Sequence, residues 1–406
     1  MPTPFTALQN EVKNRSLSPE QLTFLCAHFD VEEERCGGVR IYDDFCKILR
    51  SRFNSKGSTT IDFTDKKIGN LGSVILGLSL CDEGVPSCSS LKLKNCQIDE
   101  FQILAHLLVG TNVSNLDISS NDIKTNGLEI TLLCLFKQLY ALSVGHGYIT
   151  KIRESLFSKC ESLKNLNISY NSINEEGLEI IANSVGSHLH TLNLGDCEIE
   201  EIEERIFMKF KHLKILNIDD NMIGNTGFDI ILKTLRKTLQ TLEMSCCNVT
   251  RVNYDLLKQC RYLFKLDISR NLIGSQGLET ILNCLRYQVH RLDLWECGIN
   301  CIYDTLLRDC ENMYWLDLRE EYDISDEQWE KLANVIKSLP ALKTVKSPNA
   351  QIITLMHQVN SYYYKLCLLL LSIRSCDGIG EFSSFKVLPI ELIKMIIQKW
   401  LGRQRK

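Results

Sequence analysis

The chain has 406 residues, of which 44% are hydrophobic and 24% charged, and these values exclude a largely disordered protein. Its 46 lysines and arginines against 50 aspartates and glutamates give a net charge of −4, which argues against a globally basic nucleic-acid-binding protein. No apolar run approaches the roughly 20 residues of a membrane-spanning helix, and the polar start of the chain lacks the apolar core of a signal peptide.

The first segment, residues 1–57, does not follow the repeat that fills the middle of the chain. It reads as two helices around an acidic loop and resembles a single degenerate EF-hand, with Asp30 at the loop start, Gly38 at the turn and Asp44 at the exit. The loop is too long, and oxygen ligands are missing at the required offsets. We therefore expect a helical N-terminal cap without a calcium site, and a death-fold-like helical piece is the alternative.

Residues 61–345 form an array of two alternating kinds of unit. Long units such as LDISSNDIKTNGLEI recur every 50 residues, and short units such as LNLGDCEI recur every 50 residues between them. The long units begin at Leu116, Leu166, Leu216, Leu266 and Leu316, and the short units at Leu142, Leu192, Leu242 and Leu292. An earlier short unit begins at Leu91 and a degenerate one at Ile61. Such self-similarity indicates a stack of repeats that share one core.

Each unit reads L-x-x-L-x-L-x-x-(N or C)-x-[IL] and is followed by an amphipathic stretch. This pattern resembles the leucine-rich repeat, in particular the ribonuclease-inhibitor-like subtype, which alternates Asn-type with Cys-type units. The Asn is present at 121, 171, 221 and 271 and the Cys at 96, 197, 247 and 297, whereas Gly147 and Glu321 depart from the pattern.

The pattern has a direct structural meaning. L-x-L predicts a short strand with its leucines turned inward, and the Asn or Cys is expected to bond the turn that leaves the strand. Gly127, Gly177, Gly227 and Gly277 are expected to ease the turn into the helix that follows. The resemblance implies an α/β leucine-rich-repeat solenoid, a horseshoe with parallel strands on its concave side and helices on its convex side, with small helical caps at both ends.

The 18 cysteines are numerous, but half of them fall at equivalent repeat positions where a small buried side chain is wanted. Without a secretion signal, the sequence predicts reduced thiols and a cytoplasmic protein. Cys160, Cys260 and Cys310 are expected at one helix position, and Cys134 and Cys284 at another. Because no CxxC pair and no His/Cys cluster has zinc-ligand spacing, neither a metal nor a cofactor is predicted.

The last segment, residues 350–406, is expected to form a helical C-terminal region. Its closing stretch resembles the opening of an F-box, and also the truncated F-box at the end of some viral and bacterial ankyrin proteins. The matching residues are Leu388, Pro389, Glu391, Leu392 and Ile396. Such motifs dock an adaptor of a cullin-type ubiquitin ligase through an apolar helix face, and the alternative is that this helix only caps the solenoid.

No catalytic motif accompanies the repeats, and the eight histidines are scattered. The strand face that points away from the leucines is therefore the candidate binding surface. Large aromatic residues and arginines on such a face are typical anchors of a protein interface. These are Trp295, Trp315, Arg319, Arg270, Arg291 and Tyr170, although the tryptophans also suit a junction with the C-terminal cap.

Three functions fit the sequence. The first is a non-enzymatic scaffold that binds an unknown protein partner on the concave face of the array. The second is a substrate receptor of a cullin-type ubiquitin ligase, with the array selecting the substrate and the last helix docking the adaptor. The third is a GTPase activator, because Ran activators share this repeat subtype; those proteins carry a long acidic tail, whereas this chain ends in Gly-Arg-Gln-Arg-Lys.

Overall fold

A computed structural model describes residues 60–66, 68–80, 88–339, 341–356 and 358. The EF-hand-like segment before residue 58 and the F-box-like stretch from Leu388 to Ile396 lie outside the described residues. The domain boundaries expected from the sequence at both ends of the array remain predictions.

The described residues belong to two compact units. The first unit ends at Ile199 and also includes Met208–Leu213. Its strands are β1 Thr60–Asp62, β2 Ser90–Lys92, β3 Asn115–Asp117, β4 Ala141–Ser143, β5 Asn165–Asn167 and β6 Thr191–Asn193. Its helices are α1 Gly69–Leu80, α2 Phe101–Leu107, α3 Lys124–Leu135 and α4 Asn174–Val185.

The second unit comprises Glu200–Phe207 and the described residues from Lys214 onward. Its strands are β7 Ile215–Asn217, β8 Thr241–Glu243, β9 Lys265–Asp267, β10 Arg291–Asp293, β11 Trp315–Asp317 and β12 Thr344–Lys346. Its helices are α5 Glu204–Phe207, α6 Gly224–Leu235, α7 Tyr254–Leu257, α8 Gly274–Leu285, α9 Asp304–Arg308 and α10 Asp326–Ser338, and residues 350–356 are also helical.

Within each unit every strand pairs in parallel with the next strand along the chain. The register aligns equivalent repeat positions, so that Leu266, Leu292 and Leu316 are direct neighbours across β9, β10 and β11. These central leucines are buried, as are their counterparts in the first unit. The expectation of parallel strands with inward leucines is therefore confirmed, and each unit is a leucine-rich-repeat solenoid built of strand–helix repeats.

In the Asn-type repeats the Asn side chain bonds the turn that leaves the strand, as the sequence indicates. The Oδ1 atom of Asn121 accepts the backbone N–H groups of Cys96 and Ile98, at 3.0 and 3.1 Å. Its Nδ2 atom donates to the carbonyl groups of Leu93, Ile118 and Ser119. Gly147, which replaces the Cys, still donates its backbone N–H to Asn171. The departure at Gly147 therefore leaves this backbone link intact.

The Cys-type positions are buried and donate from sulfur to a backbone carbonyl, as Cys247 does to Ile218 at 3.2 Å. Burial raises the pKa of Cys197 and of Cys247 to about 12, so these thiols are unreactive at neutral pH. One expectation is wrong in detail. Cys160, Cys260 and Cys310 are buried but lie outside the helices: Cys260 and Cys310 follow α7 and α9, and Cys160 follows a run of turns. Cys134 and Cys284 lie in helices and are only half-buried.

The expected role of the repeated glycines is also wrong. Gly127, Gly177, Gly227 and Gly277 lie inside α3, α4, α6 and α8, where a positive φ is not needed. A Cβ atom at these glycines would lie 2.5–2.8 Å from the side chain of the preceding repeat isoleucine, for example Ile223 beside Gly227. Close packing therefore explains these glycines, and the left-handed backbone occurs three residues earlier, at Gly224 with φ +61° and Gly274 with φ +63°.

Among the helices of the described residues, none combines the length and the apolar character that crossing a membrane requires.

Candidate functional site

The candidate surface lies in the second unit, on the strand face opposite the buried leucines. Because side chains alternate along a strand, the first and third residues of each strand share this face. Arg291 and Trp315 are the first residues of β10 and β11, and Trp295 and Arg319 follow the same strands by two residues. Arg270 directly precedes Asn271. The structure thus brings five of the six residues selected from the sequence into one unit.

Trp315 lies at the centre of a first cluster. The guanidinium carbon of Arg291 is 4.4 Å from the centre of the Trp315 ring, and the ammonium nitrogen of Lys346 is 4.6 Å from it. The indole Nε1 of Trp315 donates to Asp293 at 2.6 Å. Asp293 also accepts from Arg291, at 2.6 Å from Nε and 3.3 Å from Nη2. One carboxylate therefore fixes both the cation and the ring beneath it.

Trp295 lies at the centre of a second cluster. The guanidinium carbons of Arg319 and Arg270 are 4.9 and 5.7 Å from the centre of its ring. Arg319 is held by Asp317, which accepts from Nε at 3.0 Å and from Nη2 at 2.8 Å. Arg270 has an exposed ion pair with Glu296, at 3.3 Å between Nε and Oε2. The Nε1 atom of Trp295 is buried and has no hydrogen-bond partner among the described residues.

The third residues of β10 and β11 share this strand face but are not exposed on it. The side chains of Asp293 and Asp317 are only 4% and 3% exposed. Hydrogen bonds donated to Asp293 raise the pKa of Arg291, and those donated to Asp317 raise the pKa of Arg319. Each aspartate thus anchors an arginine from below, and the cations and rings are what this face presents to solvent.

Tyr170, the sixth selected residue, lies in the first unit. It has a φ of 56° directly before Asn171, and its ring stacks on His146 with centroids 3.9 Å apart. Among the described residues of this unit, the strand face has no comparable aromatic and cationic cluster. Its groove of about 310 Å³ is lined mainly by small and amide side chains, such as Ser143 and Asn167. Tyr170 therefore belongs to a different surface feature from the five residues of the second unit.

Sequence reasoning missed two parts of the surface. Lys346 was overlooked because the last repeat is longer, with Thr344 paired to Trp315 after 29 residues rather than 24 or 26. The second part is a row of rings at the residue before each strand, Phe264, His290 and Tyr314, with centroids 5.4 and 6.4 Å apart. Aligning the repeats at the residue before each strand would have found this row.

Three carboxylates, Asp219, Glu243 and Asp267, lie at or just after β7, β8 and β9 on the same face. Burial raises the pKa of Asp219 to about 6, with further contributions from the charges of Asp267 and Glu243. Burial also raises the pKa of Asp267. For Glu243 burial acts in the same direction, but hydrogen bonds from Lys265 and Asn217 outweigh it and lower the pKa. This part of the face therefore disfavours additional negative charge at neutral pH.

We expect Asp219→Asn to stabilise the protein by about 1 kcal/mol at pH 7.5, since it removes a poorly solvated charge. An acid with a raised pKa in the folded state costs stability as the pH rises from its unfolded value near 4 towards about 6. The gain should therefore shrink at pH 4.5. Urea denaturation at both pH values measures it, and Asp220→Asn at an exposed neighbouring site is the matched control. The raised pKa of Asp219 would be contradicted if both variants changed the stability equally, or if Asp219→Asn changed it equally at both pH values.

The described residues contain no group of three or more His, Cys, Asp or Glu side chains placed to hold a metal ion.

The comparisons with known proteins agree with this architecture. A family model described as "Leucine Rich repeat" matches residues 159–182 and 259–282. Each segment begins shortly before a strand, β5 or β9, and ends in the helix that follows that strand. No curated protein shows a significant sequence match to the chain.

Solved structures are similar at 17% sequence identity. An internalin (inlF) from Listeria monocytogenes has a TM-score of 0.50, and the match covers 88% of this chain and 96% of that one. The TLR13–ssRNA13 complex has a TM-score of 0.44 over 65% of this chain and 44% of that one. The plant peptide hormone receptor RGFR1 with RGF2 has a TM-score of 0.41 over 69% and 42%. The match thus spans under half of the latter two chains. With its parallel strands, buried leucines and Asn-bonded turns, the chain has the leucine-rich-repeat fold.

Proposed function

We propose that the chain is a non-enzymatic interaction scaffold that binds a protein partner through the strand face of its second unit. The binding surface consists of Arg270, Arg291, Trp295, Trp315, Arg319 and Lys346, which we call the Trp–Arg surface. The observation that carries the proposal is that two buried aspartates fix Trp315, Arg291 and Arg319. The guanidinium groups of Arg319 and Arg270 lie over the ring of Trp295. Preorganised aromatic and arginine side chains lose little conformational entropy on binding, and they dominate protein interfaces energetically.

The neighbouring aromatic row supports the same proposal. His290 donates its backbone N–H to Phe264 at 2.7 Å, and Tyr314 donates to His290 at 2.8 Å, so the three side chains follow the strand spacing. Phe264 and Tyr314 are partly exposed and directly precede Lys265 and Trp315. Partly exposed aromatic rings beside cations suit a protein partner better than an entirely polar ligand.

The test is to replace the two anchors. We expect Trp295→Ala and Trp315→Ala each to cost about 2 kcal/mol of affinity for a partner purified after affinity capture. Trp295→Ala should leave the melting temperature nearly unchanged, because its indole N–H has no partner among the described residues. Trp315→Ala should lower it slightly, because the bond to Asp293 is lost. Isothermal titration calorimetry measures the affinities, and differential scanning calorimetry measures the melting temperatures.

Tyr287→Ala is the matched control, since Tyr287 is exposed in the turn after α8 and stacks with Arg286. It should change neither affinity nor folding. Early unfolding of Trp295→Ala would show that its ring belongs to the core of the unit, and unchanged affinity in both Trp variants would place the interface elsewhere.

The ubiquitin-ligase receptor remains a separate hypothesis. It depends on Leu388, Pro389, Glu391, Leu392 and Ile396, which lie outside the described residues, and it is compatible with a substrate bound at the Trp–Arg surface.

A further inference from the structure

The hydrogen-bonding capacity of the Trp–Arg surface is unbalanced between acceptors and donors. Its acceptors are already used. Asp293 receives two N–H groups from Arg291 and one from Trp315. Asp317 receives Nε and Nη2 of Arg319 together with the backbone N–H of Arg319 at 3.2 Å. Because both carboxylates are almost completely buried, a ligand finds few acceptors at this point.

The donors, in contrast, are exposed and only partly used. Arg319 and Arg270 are 46% and 47% exposed. Among the described residues, Arg270 contacts a carboxylate only at Glu296, and Lys346 has no carboxylate within ion-pair distance. The ring of Trp295 has the guanidinium groups of Arg319 and Arg270 over it, and its buried Nε1 atom has no acceptor in the described part of the chain. Because that atom is closed to solvent, the free hydrogen-bonding capacity of this surface lies in the guanidinium and ammonium groups around the rings.

We infer that the Trp–Arg surface binds an acidic segment of its protein partner, with a carboxylate seated at Arg270, Trp295 and Arg319. This inference rests on the proposed function and adds the chemistry of the partner. Carboxylates match the geometry of guanidinium groups, and their aliphatic stems pack against indole rings. The carboxylates of Asp219 and Asp267 already accept the backbone N–H groups of Ser245 and Ser269, and their negative charge directs an acidic segment to the β10–β12 side of the face.

Two carboxylates of the chain itself compete with this ligand. Glu296 pairs with Arg270, and the charge of Glu320 acts on Arg319. The Glu296 pair is about half exposed on both sides and can exchange for a partner carboxylate at little cost. Removing Glu296 should therefore strengthen binding of an acidic segment, a direction that a general loss of structure would not produce.

The experiment uses the full chain and a fluorescent peptide in which glutamate alternates with glycine. Fluorescence anisotropy measures its dissociation constant at low and high salt, beside peptides with glutamine, lysine or phosphoserine at the same positions and a single-stranded oligonucleotide. We expect the glutamate peptide to bind more tightly than the glutamine and lysine peptides, with an affinity that falls with salt.

Four variants test the location of the site. Arg270→Gln should weaken binding of the glutamate peptide about fivefold and Glu296→Gln should strengthen it about threefold, in line with partly exposed ion pairs. Arg251→Gln is the matched control, because Arg251 pairs with Asp229 on a helix and should leave the affinity unchanged. Arg319→Gln is informative only together with its melting temperature, since it leaves the buried Asp317 without its cation.

Equal affinity for the glutamate and glutamine peptides would overturn the inference. An affinity for the glutamate peptide that changes in neither Arg270→Gln nor Glu296→Gln would also overturn it. Tighter binding of the oligonucleotide with the same variant dependence would overturn it in favour of a nucleic acid. If no peptide binds while Trp295→Ala still abolishes capture of the natural partner, the acidic-segment inference fails and the proposed function stands.

Discussion

Asn271→Ala is expected to destabilise the second unit by about 4 kcal/mol. The side chain of Asn271 is buried, and its Oδ1 atom accepts the backbone N–H groups of Cys247 and Val249 at 3.0 and 2.9 Å. Its Nδ2 atom donates to the carbonyl groups of Met244, Ile268 and Ser269. Alanine leaves two buried N–H groups without acceptors, each costing about 1–3 kcal/mol, and weakens the bonding of the carbonyls.

Urea denaturation of the two alanine variants measures this effect and its control. Asn283→Ala replaces an exposed asparagine in α8 and should change stability by less than about 0.5 kcal/mol. Comparable destabilisation by both variants would mean that the turn is held by other contacts, and that the repeated Asn is not a structural requirement in this chain.

The fold could be predicted from the sequence because the repeat period itself sets the register of the strands. Once Leu266, Leu292 and Leu316 occupy equivalent positions in successive units, stacking makes them neighbours in the sheet, as the structure has them. The role of Gly227 was harder to predict from the sequence. A Cβ atom at this position would lie 2.6 Å from Ile223, and a local turn preference cannot reveal such packing.

The candidate site could be predicted only in part from the sequence, for a related reason. Arg291 and Asp293 are two residues apart, as are Asp317 and Arg319, so both pairs share a strand face and could have been read as ion pairs. The burial of Asp293 could not have been inferred from the sequence, because it depends on Trp315, which bonds Asp293 from the next strand. Lys346 was missed because the repeat length changes in the last unit.

The last Asn-type unit contains a deviation that should affect stability. Glu321 replaces the asparagine and is only 2% exposed. Its Oε1 atom accepts the backbone N–H of Cys297, and its Oε2 atom accepts that of Ile299 at 2.6 Å. Burial raises its pKa, although hydrogen bonds from backbone N–H groups oppose the shift. The carboxylate thus reproduces the acceptor half of the asparagine role, while its ionised form cannot donate as Asn271 does.

Glu321→Ala should therefore cost about 3 kcal/mol, because the N–H groups of Cys297 and Ile299 lose their acceptors. Glu321→Asn should instead raise stability by about 1 kcal/mol at pH 7.5, since the amide accepts, donates and carries no charge. With its pKa raised in the folded state, Glu321 destabilises the wild type increasingly as the pH rises above its unfolded value near 4.5, so the gain from Asn should vanish at pH 4. Urea denaturation at both pH values, with the exposed Glu330→Ala as control, measures these effects. If Glu321→Asn were as unstable as Glu321→Ala at pH 7.5, the turn would need the two separate oxygens of a carboxylate, and the asparagine of the other units would not be transferable to this one.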